Sequence, residues 1–184
     1  MKARDMRMRT SMRDVAPRLR LHLVGGLGGG AGRSITAALL ALGLHLLGRK
    51  TVLVQQVLPE MSDEFDLFAR LPIARCRLAL PPALALPADT NPGVQSLLET
   101  LDDRFLATLR GEVLAQVGRE ADIVVDLCAA DRALNAALMR EAFVVLTPAR
   151  FSIFELDAAL RTLTRARNVE RYRGFVTPSF FVPI

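Results

Sequence analysis

The chain has 184 residues and a formal net charge of +5, and 51% of its residues are apolar. This length and composition predict one domain with a core that needs neither metals nor disulfides, and they exclude a disulfide-rich scaffold. Cys76 and Cys128 lack metal-ligand spacing, which favours reduced cysteines packed as small apolar residues in a cytosolic protein. The longest apolar run, 35–47, is too short to cross a bilayer.

The positive charge lies at the start of the chain. Residues 1–20 hold seven basic and two acidic side chains, for a net charge of +5, whereas the remaining 164 residues hold 17 of each sign. We therefore predict a flexible basic arm at 1–20 and a neutral domain at 21–184. Such an arm is suited to DNA phosphates or to an anionic membrane surface. A solvated leader and a later translation start are the alternatives.

The first predicted elements form a βαβ unit. Leu21 to Val24 is a short apolar run that predicts a buried strand, and 25–32 contains six glycines in eight residues, which predicts a loop. Residues 33–47 lack proline and are rich in Ala and Leu, so they predict a helix that ends at Gly48. The run 51–54 predicts the second strand, and units of this kind build parallel sheets.

The rest of the chain continues the alternation. The stretch 58–92 holds six prolines and is less regular, with a short strand predicted at 84–86. Helices are predicted at 94–117, 132–141 and 151–167, and strands at 123–127 and 143–146, with a last strand beginning at 174–176. The predicted fold is α/β, a doubly wound and mostly parallel sheet with helices on both faces. Ligands in such sheets bind beyond the carboxyl ends of the strands, where the glycine loop and Asp126 fall.

A glycine-rich turn that leads into a helix supplies converging amide donors for a phosphate group. The segment 28–34 resembles K-G-G-x-G-K-[ST], the deviant Walker A loop of the ParA/MinD family of P-loop ATPases. The resemblance implies that ATP or ADP binds here, with Mg²⁺ held by Ser34 and by Asp126 as the Walker B carboxylate. The implied nucleotide-binding residues are Gly28, Gly29, Gly30, Ala31, Gly32, Arg33, Ser34 and Ile35.

Further segments resemble that family in the same order, and together they span roughly 20–182. The segment 48–54 is similar to its second strand, 121–126 to its Walker B strand, 144–148 to the following V-x-x-P strand, and 175–180 to its V-L-P-T-F strand.

His22 and His45 lie in apolar segments without catalytic partners and are interpreted as core or helix-face histidines.

Three departures bear on catalysis. The family's signature lysine is Gly28 here, its P-loop lysine is Arg33, and the stretch 55–60 lacks both aspartates of the family's D-x-D-P element. Arginine keeps the charge but has a broader, planar head. Glu60 and Asp63 are candidate substitutes for the missing acids, and no catalytic residue is assigned. We expect nucleotide binding with weak or absent hydrolysis, and the alternatives are a nucleotide-free structural relic and a competent ATPase.

The resemblance implies a positioning or partition protein that dimerises over nucleotide and acts in the cytoplasm, peripherally at the nucleoid or inner membrane. The alternative is a non-catalytic accessory subunit of a larger assembly, such as a cellulose synthase or secretion complex. The helix start at 35–39 is similar to that of the MinD-like protein found beside bacterial cellulose synthase. The implied partners are accordingly a second copy, or a protein of that larger complex.

Overall fold

The computed structural model of the chain describes residues 18–25, 32–57, 68–79, 92–127, 138–150, 152–173 and 178–184. These ranges contain six strands and three long helices, and 138–141 is also helical. In chain order they are β1 (Arg18–Val24), α1 (Arg33–Leu46), β2 (Thr51–Val57), β3 (Ala74–Ala79), α2 (Pro92–Val117), β4 (Glu120–Asp126), β5 (Ala142–Ala149), α3 (Ile153–Arg173) and β6 (Ser179–Pro183).

The strands form one sheet in the order β3-β2-β4-β1-β5-β6, and all five pairings are parallel. The predicted doubly wound α/β fold is therefore confirmed. Parallel strands cannot be joined by tight hairpins, so each connection must cross a face of the sheet. The central strands β1 and β4 are buried over residues 21–24 and 121–126, because other elements cover both of their faces.

The core has one apolar cluster on each face of the sheet. On one face, Leu106, Leu109 and Val113 of α2 pack against strand residues that include Leu23 and Ile123. On the other face, the small residues Ala37, Ala38 and Ala41 of α1 pack against Val24, Leu53 and Val124, with Phe68 beside them. The alanines leave little side-chain volume between α1 and the sheet.

The predictions for β1, α1, β2 and α2 are confirmed, with small shifts in the bounds. Strand β1 begins at Arg18, so its first three residues come from the stretch predicted as the basic arm. Helix α1 ends at Leu46, one residue earlier than expected, and Gly48 follows with the positive φ of 76° that suits a helix end.

The sequence did not predict β3, which lies at the edge of the sheet. Its arginines at positions 75 and 77 alternate with Cys76, which is buried. Charged residues are common on edge strands and weaken the apolar pattern by which a strand is recognised. The strand predicted at 84–86 lies outside the described residues, as does 174–176, and the last strand is found at Ser179–Pro183.

Cys76 has no disulfide and is 8% exposed, as expected of a cysteine packed as a small apolar residue. Burial raises the pKa of its thiol, and the negative charge of Glu112 raises that pKa further. A thiol in such a place is unreactive because little thiolate forms near neutral pH. Cys128 lies outside the described residues.

None of the described helices is both long and apolar enough to cross a membrane.

The buried carboxylate of Asp122 joins β4 to β1 and to the segment just before β2. Asp122 is 1% exposed and accepts hydrogen bonds from His22 Nε2 at 2.7 Å and Arg49 Nε at 2.5 Å. Arg20 Nε lies 3.3 Å from the same carboxylate, and the His22 ring also meets the edge of Phe143. His22 is thus a core histidine, as the sequence predicts. We call Arg20, His22, Arg49 and Asp122 the Asp122 cluster.

Candidate functional site

The glycine loop meets α1 at the carboxyl edge of the sheet. Gly32 has φ 62° and ψ 18°, a left-handed conformation, and its carbonyl accepts the first helical hydrogen bond, from Thr36 N at 2.8 Å. The amides of the next residues, Arg33, Ser34 and Ile35, have no helical acceptor at this end of α1. The first turn of α1 holds no acidic residue, so an anion would meet amide donors and the positive helix end. Residues 28–31 lie outside the described part of the chain.

The two predicted metal-site residues, Ser34 and Asp126, come together beside this helix end. Asp126 is the last residue of β4 and is 8% exposed, and its carboxylate accepts a hydrogen bond from the Ser34 hydroxyl. Burial raises the pKa of Asp126, while the Ser34 hydrogen bond and the charge of Arg33 oppose that rise. A hydroxyl and a carboxylate are hard oxygen ligands of the kind that Mg²⁺ binds, together with water and phosphate oxygens.

The side chain of Arg33, at the position of the P-loop lysine, bonds to a main-chain carbonyl of the protein. Its Nη1 donates a hydrogen bond to the carbonyl of Leu127, at 3.1 Å. Leu127 is held in turn, because its amide donates to the carbonyl of Val24 at 3.0 Å and its side chain packs on Gly25. A Cβ at position 25 would lie 2.7 Å from Leu127 Cδ1, so the ends of β1 and β4 can approach this closely because residue 25 is glycine. Arg33 therefore bridges the start of α1 to the end of β4.

The neighbouring strand brings an amide, and no carboxylate, to the same edge. Gln55 of β2 lies in register with Asp126 of β4, and Gln56 follows it in the strand. These two residues begin the stretch that the sequence aligns with the family's D-x-D-P element. Positions 58–60, and with them Glu60, lie outside the described residues, as does Asp63. In the described part of this edge, Asp126 is the carboxylate that faces Ser34.

Ile184, which the sequence did not single out, lies beside Gly32 at the start of α1. Its amide continues the strand pattern by donating to the carbonyl of Ala149 at 3.3 Å. A Cβ at Gly32 would lie 2.6 Å from Ile184 Cδ1, so the side chain of Ile184 rests against the start of α1. Its position follows from the β5–β6 pairing, and no local motif around residue 184 indicates it.

The chain matches no family model and no curated protein. It is similar to solved structures over most of its length. A variant of McdA from Cyanothece in complex with ATP is 19% identical, with a TM-score of 0.51, and the match covers 91% of this chain and 71% of that chain. Cobyrinic acid a,c-diamide synthase from Mycobacterium smegmatis, with bound ADP and magnesium, is 18% identical with a TM-score of 0.51, covering 90% of this chain and 74% of that one. A plasmid partition protein from Borrelia burgdorferi is 13% identical with a TM-score of 0.50, covering 90% and 78%.

The fold is P-loop NTPase-like. In this P-loop NTPase-like domain the glycine loop precedes α1, and Asp126 closes the neighbouring strand β4, which is the arrangement the sequence predicts. At identities this low the likeness establishes the fold, and the roles of Arg33, Ser34 and Asp126 depend on their own chemistry. A nucleotide with bound Mg²⁺ fits the oxygen atoms of Ser34 and Asp126 together with the helix amides. The Arg33 side chain fits less well, because it is bonded to the Leu127 carbonyl and is not held free for phosphate.

Proposed function

We propose that this chain is a ParA/MinD-like nucleotide-binding protein that positions a cargo, binding ATP or ADP with Mg²⁺ and hydrolysing ATP weakly or not at all. The observation that carries the proposal is the Ser34–Asp126 hydrogen bond beside the amino-terminal amides of α1, which have no acceptor within the helix. Phosphate binding at a helix start needs these amides, and a divalent cation needs the two oxygens.

Each described residue has a separate part in this proposal. The amides of residues 33–35 would hold phosphate oxygens, and Ser34 and Asp126 would hold Mg²⁺, which supplies charge neutralisation when it is bound. Arg33 keeps a positive charge beside the site, but its bond to the Leu127 carbonyl directs the guanidinium towards β4. Gln55, in register with Asp126, cannot take a proton from water as a carboxylate does. Binding is therefore expected to survive better than hydrolysis.

Calorimetry with ATP in the presence of Mg²⁺ tests the binding. The wild-type chain should bind ATP, and replacement of Mg²⁺ by EDTA should weaken the affinity about tenfold or more. Ser34→Ala should remove most of this magnesium dependence, because one of the two oxygen ligands is lost. Thr108→Ala is the matched control, since the Thr108 hydroxyl only bonds to the Arg104 carbonyl on an exposed face of α2. Equal magnesium dependence in all three chains would refute the metal site.

Phosphate release measures hydrolysis separately from binding. We expect turnover near the background rate for the wild-type chain, and a rise with Arg33→Lys, which restores a compact ammonium group. Turnover that depends on Arg33 itself, and that is lost in Arg33→Ala, would identify a competent ATPase instead.

One observation favours a second candidate function, a non-catalytic accessory subunit of a larger assembly. The side chain at the lysine position, Arg33, bonds to the Leu127 carbonyl and so joins α1 to the end of β4. In that case calorimetry would detect no ATP binding to the wild-type chain, while Arg33→Ala would lower its stability. The same titrations therefore decide between the two functions.

The surface on which such a protein acts is a separate question. The basic arm at 1–20 is our candidate for contact with DNA phosphates or an anionic membrane. Its affinity for DNA should fall steeply with salt and should drop on deletion of residues 1–17, which leaves β1 intact. Unchanged affinity in the shortened chain would remove the arm from this role.

A further inference from the structure

Helix α1 is apolar on its outer side as well as on the side that packs against the sheet. Ile35, Leu39 and Leu46 are 60%, 64% and 75% exposed, and Leu42 between them is half-buried. The spacing of these four residues is four, three and four, so they form one row along the helix. We call this row the α1 stripe. A helix that is apolar all round is normally covered on both sides.

The α1 stripe carries no charge, and beside it the helix offers space for close approach. The ionisable residues of α1 are Arg33 in its first turn and His45 in its last, and both lie outside the stripe. Gly43 lies next to the stripe, is exposed, and has nothing within 4 Å of the place where a Cβ would lie. Glycine is less favourable than alanine inside a helix, and no contact within the described chain requires glycine at this position.

The spacing of the α1 stripe is the same when it is read in either direction. Two copies of α1 laid antiparallel would therefore set Ile35 opposite Leu46 and Leu39 opposite Leu42, twice each. A row spaced four, three and four is the repeat by which helices pair side by side. Antiparallel pairing also brings opposite ends of the two helix dipoles together, and no like charges meet along the stripe.

We propose that the α1 stripe joins two copies of this chain as an antiparallel, two-fold dimer. A lipid surface would instead be met by a helix with a strongly charged face around its apolar residues, which α1 does not have. We expect the contact to form without nucleotide, because Leu39, Leu42 and Leu46 lie beyond the phosphate-binding turn at 33–35. The alanines Ala37, Ala38 and Ala41 are buried on another side of α1, against the sheet. One helix per copy is less than the roughly 800 Å² per partner of a stable interface, so we expect a weak dimer, with a Kd between about 10 μM and 1 mM.

Sedimentation equilibrium in EDTA and without nucleotide tests the dimer. The wild-type chain should change from monomer to dimer as its concentration rises through that range. Leu39→Glu and Leu42→Lys should each remain monomeric, because either change puts an unpaired charge into the seam. An equimolar mixture of the two variants should dimerise again, since Glu at position 39 then lies opposite Lys at position 42. Phe154→Glu, on α3, is the control and should dimerise like the wild type, since Phe154 is 85% exposed and lies outside the stripe.

Circular dichroism and thermal melting confirm that each variant is folded. If Leu42→Lys unfolds, the pair Ile35→Glu and Leu46→Lys makes the same test at the ends of the stripe. A wild-type chain that stays monomeric up to about 1 mM would overturn the proposal. So would a Leu39→Glu chain that dimerises normally, or a mixture of folded opposite-charge variants that does not pair. Wild-type monomers that bind vesicles of anionic lipid through the stripe would replace the dimer by a membrane contact.

Discussion

Removal of the carboxylate at the centre of the Asp122 cluster should destabilise the fold strongly. In Asp122→Ala, His22 and Arg49 lose an acceptor at 2.7 and 2.5 Å, and their side chains are only 7% and 31% exposed. Arg49 Nη2 is already buried without a hydrogen-bond partner among the described residues. Unpairing a buried imidazole costs about 1–3 kcal/mol, and breaking a buried ion pair costs about 3–5 kcal/mol.

We therefore expect Asp122→Ala to lower the free energy of unfolding by about 3–5 kcal/mol, a large fraction of the 5–15 kcal/mol typical of a domain. Urea unfolding followed by circular dichroism measures this change through the midpoint and the slope. Arg20→Ala is the matched control, because the Arg20 side chain is 48% exposed and lies 3.3 Å from the carboxylate. It should cost less than about 1 kcal/mol, as exposed ion pairs do.

A loss below about 1 kcal/mol in Asp122→Ala would refute this reasoning. It would mean that the cost of removing the Asp122 charge from water balances the bonds it makes, and that Arg49 and His22 find water or new partners in the variant. Equal losses in Asp122→Ala and Arg20→Ala would also contradict it, because the argument depends on burial and not on the number of charges.

Three further changes test the packing around the sheet. Gly32→Ala should cost about 1–2 kcal/mol because of the left-handed φ of 62°. Adding Ile184→Ala to this variant removes the clash of the new Cβ, which would lie 2.6 Å from Ile184 Cδ1, and should restore only part of the melting temperature because the φ is unchanged. Because burial raises the pKa of Cys76, the neutral thiol is favoured in the fold, and the stability it contributes is present below the ordinary thiol pKa and is lost as pH rises through the raised value. Cys76→Ala should therefore lose less stability than the wild type between neutral and alkaline pH, as measured by urea unfolding at each pH; identical pH profiles would contradict this. Leu109→Ala, at a side chain 1% exposed, should cost about 2–5 kcal/mol, whereas Leu160→Ala, at one 63% exposed, should cost under about 1 kcal/mol, and similar melting temperatures would count against the assigned core.

The architecture could be predicted from the sequence because local patterns specify most of its elements. The apolar run that ends in Val24, the proline-free stretch after Arg33 and the helical spacing up to Val117 each give one element with bounds close to those observed. The edge strand β3 was missed because Arg75 and Arg77 interrupt its apolar pattern. An edge strand buries too little side-chain surface to require a continuous apolar pattern.

The candidate site could be predicted only where a motif marks it. Ser34 and Asp126 were placed together from the loop and the strand end, and their hydrogen bond follows from that placement. The Arg33–Leu127 bond, the register of Gln55 with Asp126 and the contact of Ile184 with Gly32 join residues far apart in the chain. Such contacts depend on strand order and register, which no local pattern specifies.

The place of β1 in the sheet also has a consequence for how the protein is made. Strand β1 precedes the other described strands in the chain, yet its neighbours in the sheet are β4 and β5, and His22 bonds to Asp122 across 100 positions of the chain. At about 5–20 residues per second, synthesis of those residues takes roughly 5–20 seconds. Helix α1 follows β1 in the chain and covers Val24, whereas Leu21 and Leu23 lie on the opposite face of the strand, which α2 covers. One apolar face of β1 therefore stays without its native cover in the nascent chain until α2 has been made.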